Sequence, residues 1–150
     1  MEWKIRKFSE LNVEEIYEIL KVRNQVFIVE QNCPYEDCDE KDKNSYHMFL
    51  SDKGKVVAYI RIPEKGVSYD EVSIGRVLVN KDYRGNNFGR EIMIKGIEFI
   101  EKDLKEKSIR ISAQEYLREF YKSLGFKEVS EAYLEDNIPH IEMLYKSKSN

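Results

Sequence analysis

The sequence predicts an α/β (α+β) domain with a mixed central sheet and helices on both faces. Two observations carry this. Strand-like and helix-like segments follow one another in the order β-α-β-β-β-α-β-α-β-β, and helices packed on a sheet bury both apolar surfaces. Midway, at Val77 to Gly96, a β-branched apolar run passes through a glycine- and asparagine-containing turn straight into a helical repeat. With 150 residues, 41% of them hydrophobic, the chain reads as one domain, 1–150, with a full core.

Each element has a local reason. Trp3 and Ile5 alternate with charges, which predicts a first strand. Asn12 with Glu15 three residues on predicts a capped helix start. Ile16, Ile19, Leu20, Arg23, Val26 and Phe27 continue it at helical spacing. Arg23 and Glu30 would share a face if the helix lasted that far, but the β-branched run Val26 to Val29 argues for an earlier end. Tyr46–Leu50 and Val56–Ile62 read as a hairpin across Asp52-Lys53-Gly54-Lys55. Val72–Val79 is the next strand, followed by a helix from 86 to about 104 and a strand at Ile109–Ala113. Tyr116–Leu124 is a short helix with Leu117, Phe120, Tyr121 and Leu124 on one face and Gly125 as its C-cap. Phe126–Val129 and Ile141–Tyr145 are the last strands.

Composition excludes several classes. A net charge of −3 argues against a general nucleic-acid binder. No apolar run is long enough for a transmembrane helix, and the charged, alternating start does not read as a signal peptide. Cys33 and Cys38 fit neither a CxxC pair nor a metal-spaced set, so free thiols in a reduced cytoplasm are expected. The acids of residues 31–45 begin an EF-hand spacing at Asp37 and Asp39. Lys41, Asp42 and Met48 then break it, so no metal is expected and a solvated acidic loop is.

The join at Arg84-Gly85-Asn86-Asn87-Phe88-Gly89-Arg90 carries chemistry. Gly85 and Gly89 admit a ligand close to the backbone, and Asn tolerates a left-handed conformation. A helix N-terminus offers free N–H groups to phosphate, and Arg84 and Arg90 add full charges. GxGxxG and GxxxxGK[ST] are both absent, against a Rossmann or kinase-type nucleotide binder.

This join resembles the acyl-CoA motif Arg/Gln-x-x-Gly-x-Gly/Ala of the GNAT (GCN5-related) N-acetyltransferase superfamily, with Asn87 where glycine is usual. Gln114, Leu117, Tyr121, Gly125 and Phe126 are similar to the family's Asn-x-x-Ala-x-x-x-Tyr-x-x-x-Gly-Phe segment. The element order is also the GNAT order. Val26-Phe-Ile-Val-Glu-Gln31, Asn32-Cys-Pro-Tyr35, Gly75-Arg76 and Ile138-Pro-His140 resemble the ElaA-type subgroup.

The resemblance implies the GNAT acyl-CoA N-acyltransferase fold. Acetyl-CoA (coenzyme A) would lie between splayed strands Val72–Val79 and Ile109–Ala113, its pyrophosphate over residues 84–90. Leu78 and Val79 would pair with the pantetheine amides, Val79 N–H would face the thioester oxygen, and Gln114 would line the cofactor site. Tyr121 occupies the family position for the acid that meets the departing thiolate. A thiol and a phenol differ by about 1.5 pK units, so full transfer is uphill by roughly 2 kcal/mol and hydrogen-bond donation fits Tyr121 better.

The acceptor is expected to be a small-molecule or peptide amine, with neither nucleic acid nor membrane as partner, and with a homodimer open. A lysine-like amine costs about 4.6 kcal/mol to deprotonate at pH 7, so a base helps. Glu30, His140 and His47 are the candidates. Glu30, Asp37 and Asp39 would attract a cation, and Arg76 would orient a carboxylate. The alternative class is a non-catalytic acyl-CoA-binding or protein-interaction module on the same fold.

Overall fold

A computed structural model describes residues 1–148. The elements are β1 (Glu2–Lys7), α1 (Val13–Arg23), β2 (Ser45–Asp52), β3 (Lys55–Pro63), β4 (Gly75–Val79), α2 (Phe88–Lys102), β5 (Ser108–Gln114), α3 (Arg118–Ser123), β6 (Lys127–Glu128), β7 (Tyr133–Glu135) and β8 (Ile138–Lys146), with short 3₁₀ turns between some of them. Strands β1-β2-β3-β4 form one antiparallel sheet, and β5-β8-β6, with β7 also on β8, form another. The one parallel contact joins them: Val72 bridges Ile109, and Arg110 N–H donates to the Val72 carbonyl at 3.1 Å.

The two faces of β3 divide the core. Ala58, Ile60 and Ile62 pack with Ile92, Met93, Ile97 and Ile100 of α2. Tyr59 packs on the other face with Ile19 and Val22 of α1. Gly96 permits this closeness, because a Cβ there would stand 2.5 Å from Ile60 Cδ1.

Local signals landed where the sequence put them in most cases. Asn12 Oδ1 accepts from Glu15 N–H at 2.8 Å and Glu15 returns a bond to Asn12 N–H, completing the capping box. Lys53 and Gly54, at φ +51° and +82°, make the two-residue turn between β2 and β3. Phe126 N–H reaches the Tyr121 carbonyl and Gly125 N–H the Lys122 carbonyl, a Schellman end to α3.

Three expectations need correction. The first helix does not end in the β-branched run. It widens to a π-helix over Asn24–Glu30, which turns Glu30 away from the Arg23 face. Strand Val72–Val79 is broken: Val72 stands apart and β4 begins at Gly75. From pair Tyr59–Leu78 to pair Arg61–Gly75, β3 advances two residues and β4 three, so β4 carries a bulge, with Arg76 at φ +51°. Finally, β7 was not foreseen. It is three residues long, and Asp136 and Asn137, both at positive φ, turn it onto β8.

Candidate active site

Below the Val72–Ile109 bridge the two sheets are unpaired, and a cleft of about 830 Å³ opens between them. Residues 73–79 line one wall. Ile111, Ser112, Gln114, Leu117, Phe120 and Tyr121 line the other, and Glu30, Tyr35, Arg84 and His140 border it.

Strand alternation decides which backbone groups face the cleft. Asn80 N–H donates to the Val57 carbonyl of β3 at 2.8 Å, so Leu78, two residues back, also directs its N–H and C=O to β3. Val79 directs its own to the cleft. Leu78 is therefore core, its side chain packed beside Tyr59, and the expected backbone role falls to Val79 alone. Val77 also lines the wall, which the sequence shows only as part of an apolar run because such a run does not reveal strand facing.

At one end lies the 84–90 join. Gly85 and Asn87 hold φ +87° and +64°, left-handed positions on either side of Asn86 that lead into α2. Asn at 87 thus takes the conformation that glycine would take most cheaply. Asn86 donates to the Tyr83 carbonyl at 2.9 Å, and Arg90 to Ser123 Oγ at 2.9 Å. The Phe88 side chain packs on the core, and a Cβ on Gly89 would stand 3.6 Å from Val79 Cγ2, so neither offers a side chain to the cleft. Arg84 folds over the cleft. Its Nε donates to the Val79 carbonyl at 3.1 Å, and both Nη groups reach the Glu30 carboxylate, one at 2.8 Å. The Arg84 hydrogen bonds hold the Glu30 carboxyl below its ordinary range.

Tyr121 is 6% exposed and lines the cleft, yet its hydroxyl has no hydrogen-bond partner among the described residues. Burial pushes this phenol well above its usual value, and Tyr116 nearby adds to the shift. Gln114 stands at the cleft, 3.5 Å from Gln31.

The other end departs most from expectation. Residues 31–45 are not a solvated acidic loop. Arg23, Arg61 and Arg76 gather Asp37, Asp39 and Asp42 into a largely buried ion network. Arg23 reaches Asp37 at 2.8 Å and Asp42 at 2.7 Å. Arg61 takes both oxygens of Asp39, at 2.7 and 2.9 Å, and Asp42 at 3.1 Å. Arg76 Nε lies 2.8 Å from Asp37, an ion pair whose N–H is misaligned for a hydrogen bond, while its Nη2 donates to Asp37 O and Asp39. Its guanidinium also sits 5.4 Å above the Tyr35 ring. So Arg76 orients this chain's own carboxylates, and Asp37 and Asp39 are not free to attract a cation.

His47 is removed from the site. It is buried between Tyr59 Oη and the Asp42 carbonyl, and it borders a small separate cavity beneath α1. Burial lowers its pKa. His140 does line the cleft. Its Nδ1 lies 2.6 Å from the Ile138 carbonyl and its Nε2 3.5 Å from Glu135. Cys33 and Cys38 are free thiols, and Cys33 ties its loop to the far sheet through the Asp136 carbonyl at 3.3 Å.

A split sheet, a bulged strand and a glycine–asparagine turn at a helix start define a class, the acyl-CoA N-acyltransferase fold. The chain belongs to the GNAT acetyltransferase family: the model for the acetyltransferase (GNAT) domain matches residues 8–147. It is 40% identical over 145 residues to protein ElaA of Escherichia coli, covering 95% of each chain. The crystal structure of E. coli ElaA superposes with a TM-score of 0.90 over 97% of this chain and 100% of that one. A UPF0039 protein of Schizosaccharomyces pombe is 43% identical over 146 residues, covering 95% of each chain. An acyl-CoA N-acyltransferase from Pseudomonas aeruginosa is 33% identical with a TM-score of 0.90, covering 97% of this chain and 99% of its own.

Proposed function

We propose that this protein transfers acetyl from acetyl-CoA to a primary amine by direct attack in a ternary complex. The observation that carries the reading is Tyr121: a largely buried side chain whose hydroxyl has no hydrogen-bond partner among the described residues and faces the cleft, opposite the wall that carries the backbone N–H of Val79. A hydroxyl free to donate into the cleft can meet a ligand atom that accepts its hydrogen bond.

Acetyl-CoA would enter with its pyrophosphate over Arg84 to Arg90, where left-handed Gly85 and Asn87 expose N–H groups at the start of α2. The Val79 N–H would stabilise the oxyanion of the tetrahedral intermediate. Its raised pKa keeps Tyr121 protonated, so its role is to donate a hydrogen bond to the departing thiolate. His140 would receive the amine proton. Glu30 would assist only after the cofactor's phosphates have drawn Arg84 from it. Arg76, held by Asp37 and Asp39, would shape the acceptor end rather than bind charge.

The test is acetyl-CoA consumption screened against amines, polyamines, amino acids and peptides, in the native protein and in Tyr121→Phe. The variant should keep near-normal acetyl-CoA affinity and lose roughly 100- to 10,000-fold in turnover. Unchanged turnover would return Tyr121 to a packing role.

A further inference from the structure

The ion network leaves the acceptor end with a different set of uncompensated acids from those the sequence suggested. Arg23, Arg61 and Arg76 balance Asp37, Asp39 and Asp42. Among the cleft-lining acids that no arginine holds, Glu135 has the most built surroundings. Ser112 Oγ donates to its Oε1 at 3.3 Å, and Ser112 also bonds the Tyr133 hydroxyl. Tyr133 stacks on the His140 ring at 6.3 Å. Strand register explains the grouping. Gln114, His140 and Tyr133 lie directly opposite one another across β5, β8 and β7, and Ser112 and Glu135 share that face two residues to either side of the row, level with Glu142 and Ile138. Ile111, Ala113 and Ile141 occupy the core face.

The hydrogen bonding of His140 sets up an unmet need. Nδ1 lies 2.6 Å from the Ile138 carbonyl, which only accepts, so Nδ1 carries the proton and donates it. Nε2 then points towards the Glu135 carboxylate, 3.5 Å away and beyond the usual hydrogen-bond length. A donor lying against both atoms from the cleft can bond the carboxylate and Nε2 together. His140 is 7% exposed, whereas the Glu135 side chain is 50% exposed and reaches solvent. The site is therefore open on the carboxylate side and dry on the imidazole side.

We infer that Glu135 and His140 together form the acceptor subsite, which takes a cationic primary amine by setting its ammonium against the pair from the cleft side, within reach of both the carboxylate and Nε2. This rests on the acetyltransferase reading and names the acceptor-binding group within it. Nε2 takes one proton from the ammonium, and Glu135 stabilises the imidazolium that results. The freed amine lone pair forms the C–N bond to the thioester carbon, and the C–S bond breaks. The second proton leaves the nitrogen as the tetrahedral intermediate collapses. The thiolate, hydrogen-bonded by Tyr121, ends as CoA thiol with that proton. The imidazolium proton leaves to water along the exposed Glu135. The other charged or titratable groups about the ring are Tyr133 and Tyr69, Asp136 in the turn, and Glu142, which is held by Arg110 at 3.1 Å.

The test uses the full chain with Glu135→Gln, a variant that keeps the shape and the Ser112 hydrogen bond. Losing one charged hydrogen bond should raise acceptor KM by about 10- to 100-fold. Calorimetric CoA affinity should stay unchanged, and the acid limb of the kcat/KM pH profile should move. A second readout needs no turnover. In the CoA complex, n-butylamine should perturb the His140 ring ¹⁵N resonances and butyrate should not, and Glu135→Gln should abolish the effect. If n-butylamine perturbs His140 equally in both proteins, or acceptor KM is unchanged in Glu135→Gln, the subsite is wrong. Failure of the native protein to bind CoA would instead defeat the acetyltransferase reading itself.

Discussion

Arg84 is held in two directions at once, by the Val79 carbonyl inside the cleft and by the Glu30 carboxylate at its rim. Both acceptors matter to the proposed cofactor: one is the strand edge that pantetheine would use, and the other competes with phosphate for the guanidinium. The ion pair is weak as a lock, since its side chains are 43% and 41% exposed, and such pairs contribute about 0–1 kcal/mol. Phosphate can therefore displace Glu30 at small cost. Glu30→Gln is expected to raise CoA affinity by up to about 5-fold, the factor that 1 kcal/mol allows. Arg84→Glu is expected to lower it by at least about 10-fold while leaving the thermal midpoint within a few degrees, because the residue is exposed. Titration calorimetry of both variants checks the pair. Equal affinity in all three proteins would remove the pyrophosphate from this turn.

At the scale of elements, the position of the cleft depends on how closely α2 approaches β3. Gly96 sets that approach, for a Cβ would come within 2.5 Å of Ile60 Cδ1, which is itself fully buried among Ala58, Met93 and Ile97. Gly96→Ala gains helix propensity of about 1 kcal/mol but overpacks a close-packed layer at a cost of about 1–3 kcal/mol. Net destabilisation of up to about 2 kcal/mol is expected by urea unfolding. The first turn of α2 carries the left-handed Asn87 and Gly89, so CoA affinity should fall with it. A variant as stable as the native protein, with unaltered affinity, would show that Ile60 yields and that the layer does not set the turn. The β4 bulge acts at the same scale. With one extra residue opposite Tyr59–Arg61, and Arg76 held at positive φ by Asp37 and Asp39, β4 bends from the path that would pair it with β5. Residues 31–45 thereby brace the wall of the cleft, a role nothing in their composition announces.

At the scale of the molecule, the ion network makes stability depend on pH in two steps. Burial pulls the His47 pKa below 6.5, with Arg23 and Arg61 adding to it, so the unfolded chain binds that proton more readily. Stability from this group is present above about pH 6.5 and is lost as pH falls below it. Burial alone would raise Asp39 and Asp42, but the guanidiniums outweigh it: Arg61 leads at Asp39, which drops to about 2, and Arg23 leads at Asp42. Their contribution is full above the unfolded value near 3.9 and is lost between there and about pH 2. Urea midpoints should therefore fall below about pH 6.5 and again below about pH 4. His47→Gln should abolish the first decline and keep the second; an unaltered first decline would place the titrating group elsewhere. The same network marks the boundary of what was legible in the sequence. Periodicity, the Asn12 cap, the Lys53-Gly54 turn and the 84–90 join were all readable, because each is set by neighbours within one turn or one strand. The family followed from motifs of that kind. What the chain order could not convey was pairing across distance. Asp37 and Asp39 looked like free acids until Arg23, Arg61 and Arg76 arrived from three separate elements. His47 stood beside His140 as a candidate base until β2 buried it under α1, while β8 set His140, the favoured one, beside Glu135. Local backbone geometry is fixed by adjacent residues, whereas the state of a charge is fixed by whatever the fold brings within about 4 Å of it, and only the tertiary structure decides that.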